Sequence, residues 1–188
     1  MLALDILDKA KVYFDGIFSV SLWVKRTGDY SNYGRLISNK SGNNNAGFQI
    51  YFSNTNDRLY TKGTTQTRYG RATSNWQNQN WVHVVNTFNA QSAHTSLRYK
   101  LYANGSFVAQ NNIPKIEQGS ANMLFGRSPA GGNRMVGMLD DVRFYDRELS
   151  GAEVATLYGS GNGDFVTVRT GTMASIKKAG TITLTGYA

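Results

Sequence analysis

Apolar and polar residues alternate with period two through most of this chain, which is the signature of half-buried strands. In FSVSLWVK, Phe18, Val20, Leu22 and Val24 share one face, and Ser19, Ser21, Trp23 and Lys25 share the other. In GFQIYFS, Phe48, Ile50 and Phe52 alternate with Gln49, Tyr51 and Ser53. In WVHVVNTF, Val82, Val84 and Phe88 oppose Trp81, His83 and Val85. LRYKLYANGSFVAQ sets Leu97, Tyr99 and Leu101 on one side, then turns at Asn104-Gly105. Both turn residues tolerate positive φ, so the segment predicts a hairpin. MLFGR and MVGMLDDVRFY supply two further strands, and no internal repeat is evident.

One segment departs from this period. Ser150 and Glu153 form an S-x-x-E capping box, Val154, Leu157 and Tyr158 make an apolar side, and Gly159 is placed to close a helix in the left-handed conformation. The spacing predicts a short helix over 151–158. Past YGSGNGD the composition shifts, and FVTVRTGTMASIKKAGTITLTGYA reads as two strands, 165–170 and 181–187. The expected organisation is a sandwich over 1–160 and a C-terminal strand extension, assembly arm or extra sheet strands over 161–188.

The order FSVSLWVKR, GRLISNK, GFQIYF, WVHVVNTFNA, LRYKLYANGSFVAQ, MLFGRS and GMLDDVRFYDRELSGAEVATLYG resembles the laminin-G-like branch of the concanavalin A-like lectin/glucanase superfamily. The resemblance covers residues 12 to 159. It implies an all-β fold, a two-sheet antiparallel jelly-roll sandwich, with Trp81 in the core. It also implies a structural calcium held by Asp15, the Gly16 carbonyl and Asp140 or Asp141. Fewer residues precede FDG than in such domains, and the acidic stretch that usually follows it is missing. The sheet edge left by a missing first strand is expected to pair with the C-terminal strands, in this chain or another.

Charge narrows the partners. Twenty Lys and Arg against twelve Asp and Glu leave a formal charge of +8, which favours an anionic partner. The basic residues are scattered, with no run longer than two, as at Lys177-Lys178, so specific nucleic-acid binding is not expected. No apolar run reaches the ~20 residues of a membrane helix. The N-terminal stretch, with Asp5 and Asp8 inside its apolar part, does not read as a signal peptide. The absence of cysteine excludes disulfides and thiolate metal sites.

Five of the twelve acids, Asp140, Asp141, Asp146, Glu148 and Glu153, crowd into one short stretch. Glycoside hydrolysis uses two carboxyls roughly 5 to 9.5 Å apart. Adjacent Asp140 and Asp141 would point to opposite faces of a strand, and between Tyr30 and Leu139 the only carboxylates are Asp57 and Glu117. A lyase would draw on His83, His94, Tyr51, Tyr69, Arg68 and Arg71, but two histidines eleven apart make neither a zinc site nor a triad. A polysaccharide hydrolase or lyase is therefore the disfavoured alternative. If Leu139 and Val142 both face the core, one Asp of the pair must face inward and find a partner: Arg143 or Arg147, turn amides, or the calcium ion.

The stretch from Gln49 to Trp81 interleaves aromatics with amides and cations. Tyr51, Tyr60, Arg68, Tyr69, Arg71 and Trp76 are the candidate ligand-binding residues, suited to a polysaccharide or acidic glycan. The competing account is that the tyrosines pack across strands and the Asn and Thr fill loops. The expected function is a non-catalytic, lectin-like surface-recognition module. It would be displayed as a structural or decoration protein on a phage virion, as a homo-oligomer or against a capsid or tail protein. A secreted or cell-surface adhesin domain is the rival setting.

Overall fold

The computed structural model describes residues 16–28, 33–40, 46–53, 58–63, 68–72, 80–112, 116 and 122–160, with backbone alone for 68–72 and Leu97. The strands are β1 (Ile17–Arg26), β2 (Tyr33–Ser38), β3 (Gln49–Ser53), β4 (Leu59–Lys62), β5 (Arg68–Ala72), β6 (Trp81–Asn89), β7 (Tyr99–Ala103), β8 (Ser106–Asn111), β9 (Leu124–Phe125) and β10 (Gly137–Tyr145). One helix, α1 (Gly151–Ser160), follows them. The strands form two five-stranded sheets, β10-β1-β6-β7-β8 and β5-β4-β3-β2-β9. Every pairing within them is antiparallel. This is the expected jelly-roll sandwich.

The alternation decides what lies between the sheets. Phe18, Val20, Leu22 and Val24 of β1, Val84 and Phe88 of β6, and Leu101 of β7 meet Leu36, Ile37, Ile50, Phe52 and Leu59 of the second sheet in one buried cluster. Phe18 stacks on Phe88 with ring centroids 4.3 Å apart. One polar group crosses this core. Thr61 Oγ1 donates to Asn86 Oδ1 at 2.7 Å, Tyr99 OH donates to the same oxygen at 2.7 Å, and the two hydroxyls lie 2.9 Å apart. Each hydroxyl has one proton, so at most two sides of this triangle carry a hydrogen at once. Burial pushes the Tyr99 phenol above its usual range, which keeps it a donor.

The outer face of the first sheet is covered by the segment running into α1. Val85, Tyr102, Leu149 and Val154 form a second buried cluster there, with Tyr145 and Leu157 against it. Ser19 Oγ donates to the Arg147 carbonyl at 2.8 Å and accepts from the Leu149 amide at 2.9 Å. The capping box is present: Glu153 N donates to Ser150 Oγ, and Ser150 N donates to Glu153 Oε2. The helix runs on to Ser160, so Gly159 sits inside its last turn rather than ending it.

The β7–β8 hairpin turns at Asn104 (φ 48°) and Gly105 (φ 74°), the two positive values of a type I′ turn. Asn104 N donates to the His83 carbonyl at 2.8 Å, and its Oδ1 accepts from the His83 amide at 3.0 Å. A Cβ on Gly105 would lie 3.0 Å from the Tyr158 ring. The hairpin tip is therefore roofed by the helix's last turn. The Gly131–Gly132 turn is the opposite case, with open space where a Cβ would point.

Several expectations change. Asp140 is exposed and Asp141 half-buried, so neither faces the core. A bulge resolves the parity: Ser21 pairs with Arg143 and Trp23 with Asp140, leaving Leu22 opposite both Asp141 and Val142. The extra residue, Asp141 at φ 45°, lets Leu139 and Val142 turn to the same side. Trp81 is half-buried on the outer face rather than in the core, because its period places it with His83 and Val85. Leu97 belongs to a 3-10 turn, Thr95–Leu97, ahead of β7. Strands β4 and β5 were not foreseen. The proposed strands 165–170 and 181–187, and with them the C-terminal extension, lie outside the described residues.

Two substitutions test this packing. Gly105→Ala forces a side chain into positive φ beneath Tyr158 and is expected to cost about 1–2 kcal/mol, read as a lowered denaturation midpoint. Ser19→Ala leaves the Leu149 amide buried without an acceptor and is expected to cost about 1–3 kcal/mol by the same measurement.

Candidate functional site

The outer face of the second sheet gathers the aromatic and basic side chains. Because Ile50 and Phe52 point into the core, Gln49, Tyr51 and Ser53 of β3 point away from it. Register then sets their neighbours. Tyr51 stands between Arg35 of β2 and Tyr60 of β4, and Gln49 between Ser38 and Lys62. The Tyr51 and Tyr60 rings stack at 5.7 Å, and Tyr33 meets Tyr51 edge-on at 5.4 Å. The Arg35 guanidinium lies 4.3 Å from the Tyr51 centroid and 5.1 Å from that of Tyr33, a cation held against two π faces.

The predicted ligand residues fare unequally. Tyr51 is only 2% exposed, because cross-strand neighbours flank its ring on both sides, so it braces the face and offers no open ring. Tyr60 and Tyr33 are half-buried and form the accessible aromatic rim. Arg68 and Tyr69 lie in β5, paired with Lys62 and Thr61, and Arg71 falls in the irregular stretch opposite Tyr60. Trp76 lies outside the described residues. Sequence reasoning missed Tyr33, Arg35, Gln49 and Lys62. The alternation in YGRLIS carried the signal for the first two, but a bulge between Arg35 and Ile37 breaks it, and Leu36 and Ile37 are both fully buried.

Of the predicted calcium set, Gly16 and the Asp140–Asp141 pair are not brought together. Gly16 immediately precedes β1, whereas Asp140 pairs with Trp23. Six to seven residues of extended chain separate them, about 20 Å. The Gly16 carbonyl accepts from the Ala90 amide at 2.8 Å, and Asp15 lies outside the described residues. Among the described residues no group of three His, Asp or Glu side chains is placed to hold a metal. The described candidates, Gly16 on one side and Asp140 and Asp141 on the other, therefore do not share one calcium shell.

The acid-rich stretch has structural employment instead. Asp140 Oδ1 accepts from the Asp141 amide at 2.8 Å, which closes the bulge. Asp141 pairs with Arg143 at 2.6 Å. Glu148 accepts from Lys100 at 2.7 Å and from Asn89 at 2.8 Å, clasping the covering segment to β6 and β7. Glu153 pairs with Arg147 at 2.6 Å. Arg147 first, and then Ser150, hold its carboxyl down at about 2. A carboxyl ionised at every ordinary pH cannot serve as the general acid of a hydrolase. A cleft of about 310 Å³ lies beside this pair, over Tyr145, Leu149, Ala152 and Leu157, and its charged rim is already neutralised across itself.

Similarity to known proteins agrees with this architecture. The family profile described as the concanavalin A-like lectin/glucanases superfamily, of laminin G type, matches residues 6–155. A putative carbohydrate binding protein from Bacteroides ovatus is similar in fold, with TM-score 0.62 and 14% identity over 81% of this chain and 43% of that one. The botulinum neurotoxin type G receptor binding domain gives TM-score 0.55 at 16% identity, over 78% of this chain and 38% of that one. The binding domain of botulinum neurotoxin DC in complex with SialylT gives 0.56 at 17%, over 80% and 37%. This chain spans less than half the length of each, and at such identity the likeness shows the fold alone. No curated protein matches the chain. With four-fifths of its residues matched and two antiparallel sheets in place, the chain belongs to the concanavalin A-like lectin/glucanase superfamily.

Proposed function

We propose that the protein is a non-catalytic glycan-binding module that takes anionic polysaccharides on the outer face of its second sheet. One observation carries the reading. That face carries the half-buried Tyr33 and Tyr60 rings, with Gln49, Arg35 and Lys62 buried beneath and between them, while every described carboxylate lies in 140–153 on the other sheet and its covering segment. Sugars are held by aromatic edges and planar hydrogen-bonding groups, and cations add selectivity for carboxylate or sulfate substituents. The kinship with lectins and the carbohydrate-binding description of the Bacteroides ovatus relative point the same way. Display on a phage virion, as a structural or decoration protein, is the setting we favour.

A glycan array probed with the full chain is expected to light acidic polysaccharides, with signal that falls as salt screens the charges. Tyr60→Ala and Lys62→Gln are each expected to weaken binding about ten-fold, ~1.4 kcal/mol, and Trp76→Ala extends the test to a candidate outside the described residues. Retention on neutral and acidic glycans alike, unaffected by these changes, would overturn the assignment of the face. Release of oligosaccharide products from a polysaccharide panel would instead establish a hydrolase or lyase. Virion display requires a stable homo-oligomer or a particle-bound form, measured by light scattering and co-sedimentation; a glycan-binding monomer supports the adhesin alternative. Chelator is expected to leave both melting and glycan retention unchanged, since Gly16 precedes β1 while Asp140 of β10 lies opposite Trp23, well along that strand.

A further inference from the structure

On the outer face of the first sheet, away from the glycan face, His83 is 2% exposed. Its ring lies 5.1 Å from Trp23 and 6.1 Å from Tyr158, which are themselves 5.8 Å apart. Nε2 is 2.8 Å from Ser21 Oγ, whereas Nδ1 is buried with no hydrogen-bond partner. The His83 backbone amide and carbonyl both hold Asn104. Tyr158, in the last turn of α1, covers Gly105 beside it. His83 is thus the floor on which the end of the helix rests.

A neutral imidazole suits this floor, because one nitrogen meets Ser21 and the other needs no proton. An imidazolium does not suit it, because its Nδ1–H would find no acceptor. A cation between two aromatic rings gains about 0.5–2 kcal/mol, but a buried charged donor left unpaired loses more. The surrounding elements do not offset this. β1 brings Ser21 and Trp23, the turn brings Asn104, and α1 brings the Tyr158 phenol. β10 brings Asp141, which favours the charged ring, and Arg143, which opposes it. These two are already bonded to each other at 2.6 Å.

We propose that His83 is an acid-sensitive latch whose protonation releases the C-terminal turn of α1 from the outer face of the first sheet. Opening uncovers Trp23 and the hairpin tip, at the point from which the chain continues into 161–188. Burial, the largest cause, holds the ring down at about 4 against 6.5 for a free histidine. The closed form therefore binds a proton less readily than the open one. Its advantage is complete above pH 6.5 and is lost as pH falls towards 4. The opening equilibrium rises up to about ten-fold per pH unit across that window, roughly 300-fold in all.

Hydrogen exchange on the full chain, corrected for the intrinsic pH dependence, tests the latch. Peptides spanning 151–160 are expected to lose protection between pH 6.5 and 4 while the β1 and β6 amides stay protected. His83→Gln, which stays neutral, is expected to abolish that step. Tyr158→Leu is expected to leave the turn open at every pH. Protection of 151–160 that ignores pH, a step that survives in His83→Gln, or simultaneous loss of protection across both sheets would each overturn the proposal. If His83→Gln does not fold, the imidazole resonances of the wild-type chain decide, with His94 as the second signal. A His83 midpoint that coincides with helix opening sustains the latch, and one that does not coincide overturns it.

Discussion

The triangle of Thr61, Asn86 and Tyr99 is the constraint on which the relation between the two sheets rests. The rest of the core is hydrocarbon, which is indifferent to small slides of one layer over the other. Three polar side chains buried in it are not indifferent, because any slide strands atoms that cost on the order of 1–3 kcal/mol each when unpaired. Thr61 belongs to the second sheet, and Asn86 and Tyr99 to the first. Their contact fixes where β4 lies over β6 and β7. Since strand residues alternate faces, the anchoring of Thr61 also fixes its neighbours Tyr60 and Lys62 on the outside, where the candidate site is.

The two outer faces have been put to different uses. The first is occupied by its own chain, through Ser19, Glu148 and the Leu149–Val154 cluster, and this occupation uses Glu148 and Glu153 of the acid-rich stretch. Their proximity in sequence suggests chemistry, yet Asp140, Asp141, Glu148 and Glu153 each spend their charge on a neighbouring amide or cation. The second face keeps its cations beside tyrosine rings. Among the described residues the carboxylates lie on the buttressed sheet and its covering segment, opposite the face proposed for recognition.

Much of the architecture was legible because it depends on period and turn chemistry. The β1 and β6 alternation, the Asn104-Gly105 turn and the Ser150–Glu153 cap each rest on a local rule that tertiary context did not overrule. Legibility failed at bulges. One extra residue at Asp141 and another irregularity at Leu36 shift the parity of everything downstream, and nothing in the local sequence marks either. β4 and β5 were missed because they are short and carry Arg, Tyr and Lys at positions that read as binding loops. The same blindness hid Arg35, whose role appears only when β2 is laid beside β3. Conversely, Tyr51 looked like a ligand platform because Gln49 and Ser53 on its strand face are polar, while its cross-strand neighbours are Tyr33, Tyr60 and Arg35.

The two glycine turns carry an engineering consequence. The Asn104-Gly105 tip is enclosed by Tyr158, so a peptide grafted there would lift the helix end with it. At Gly131 and Gly132 no described atom lies within 4 Å of where a Cβ would stand. An epitope or a fluorophore tag belongs at that second tip, where the first atoms of an added side chain meet open space, although Asn133 next to it bonds to Arg35 of β2.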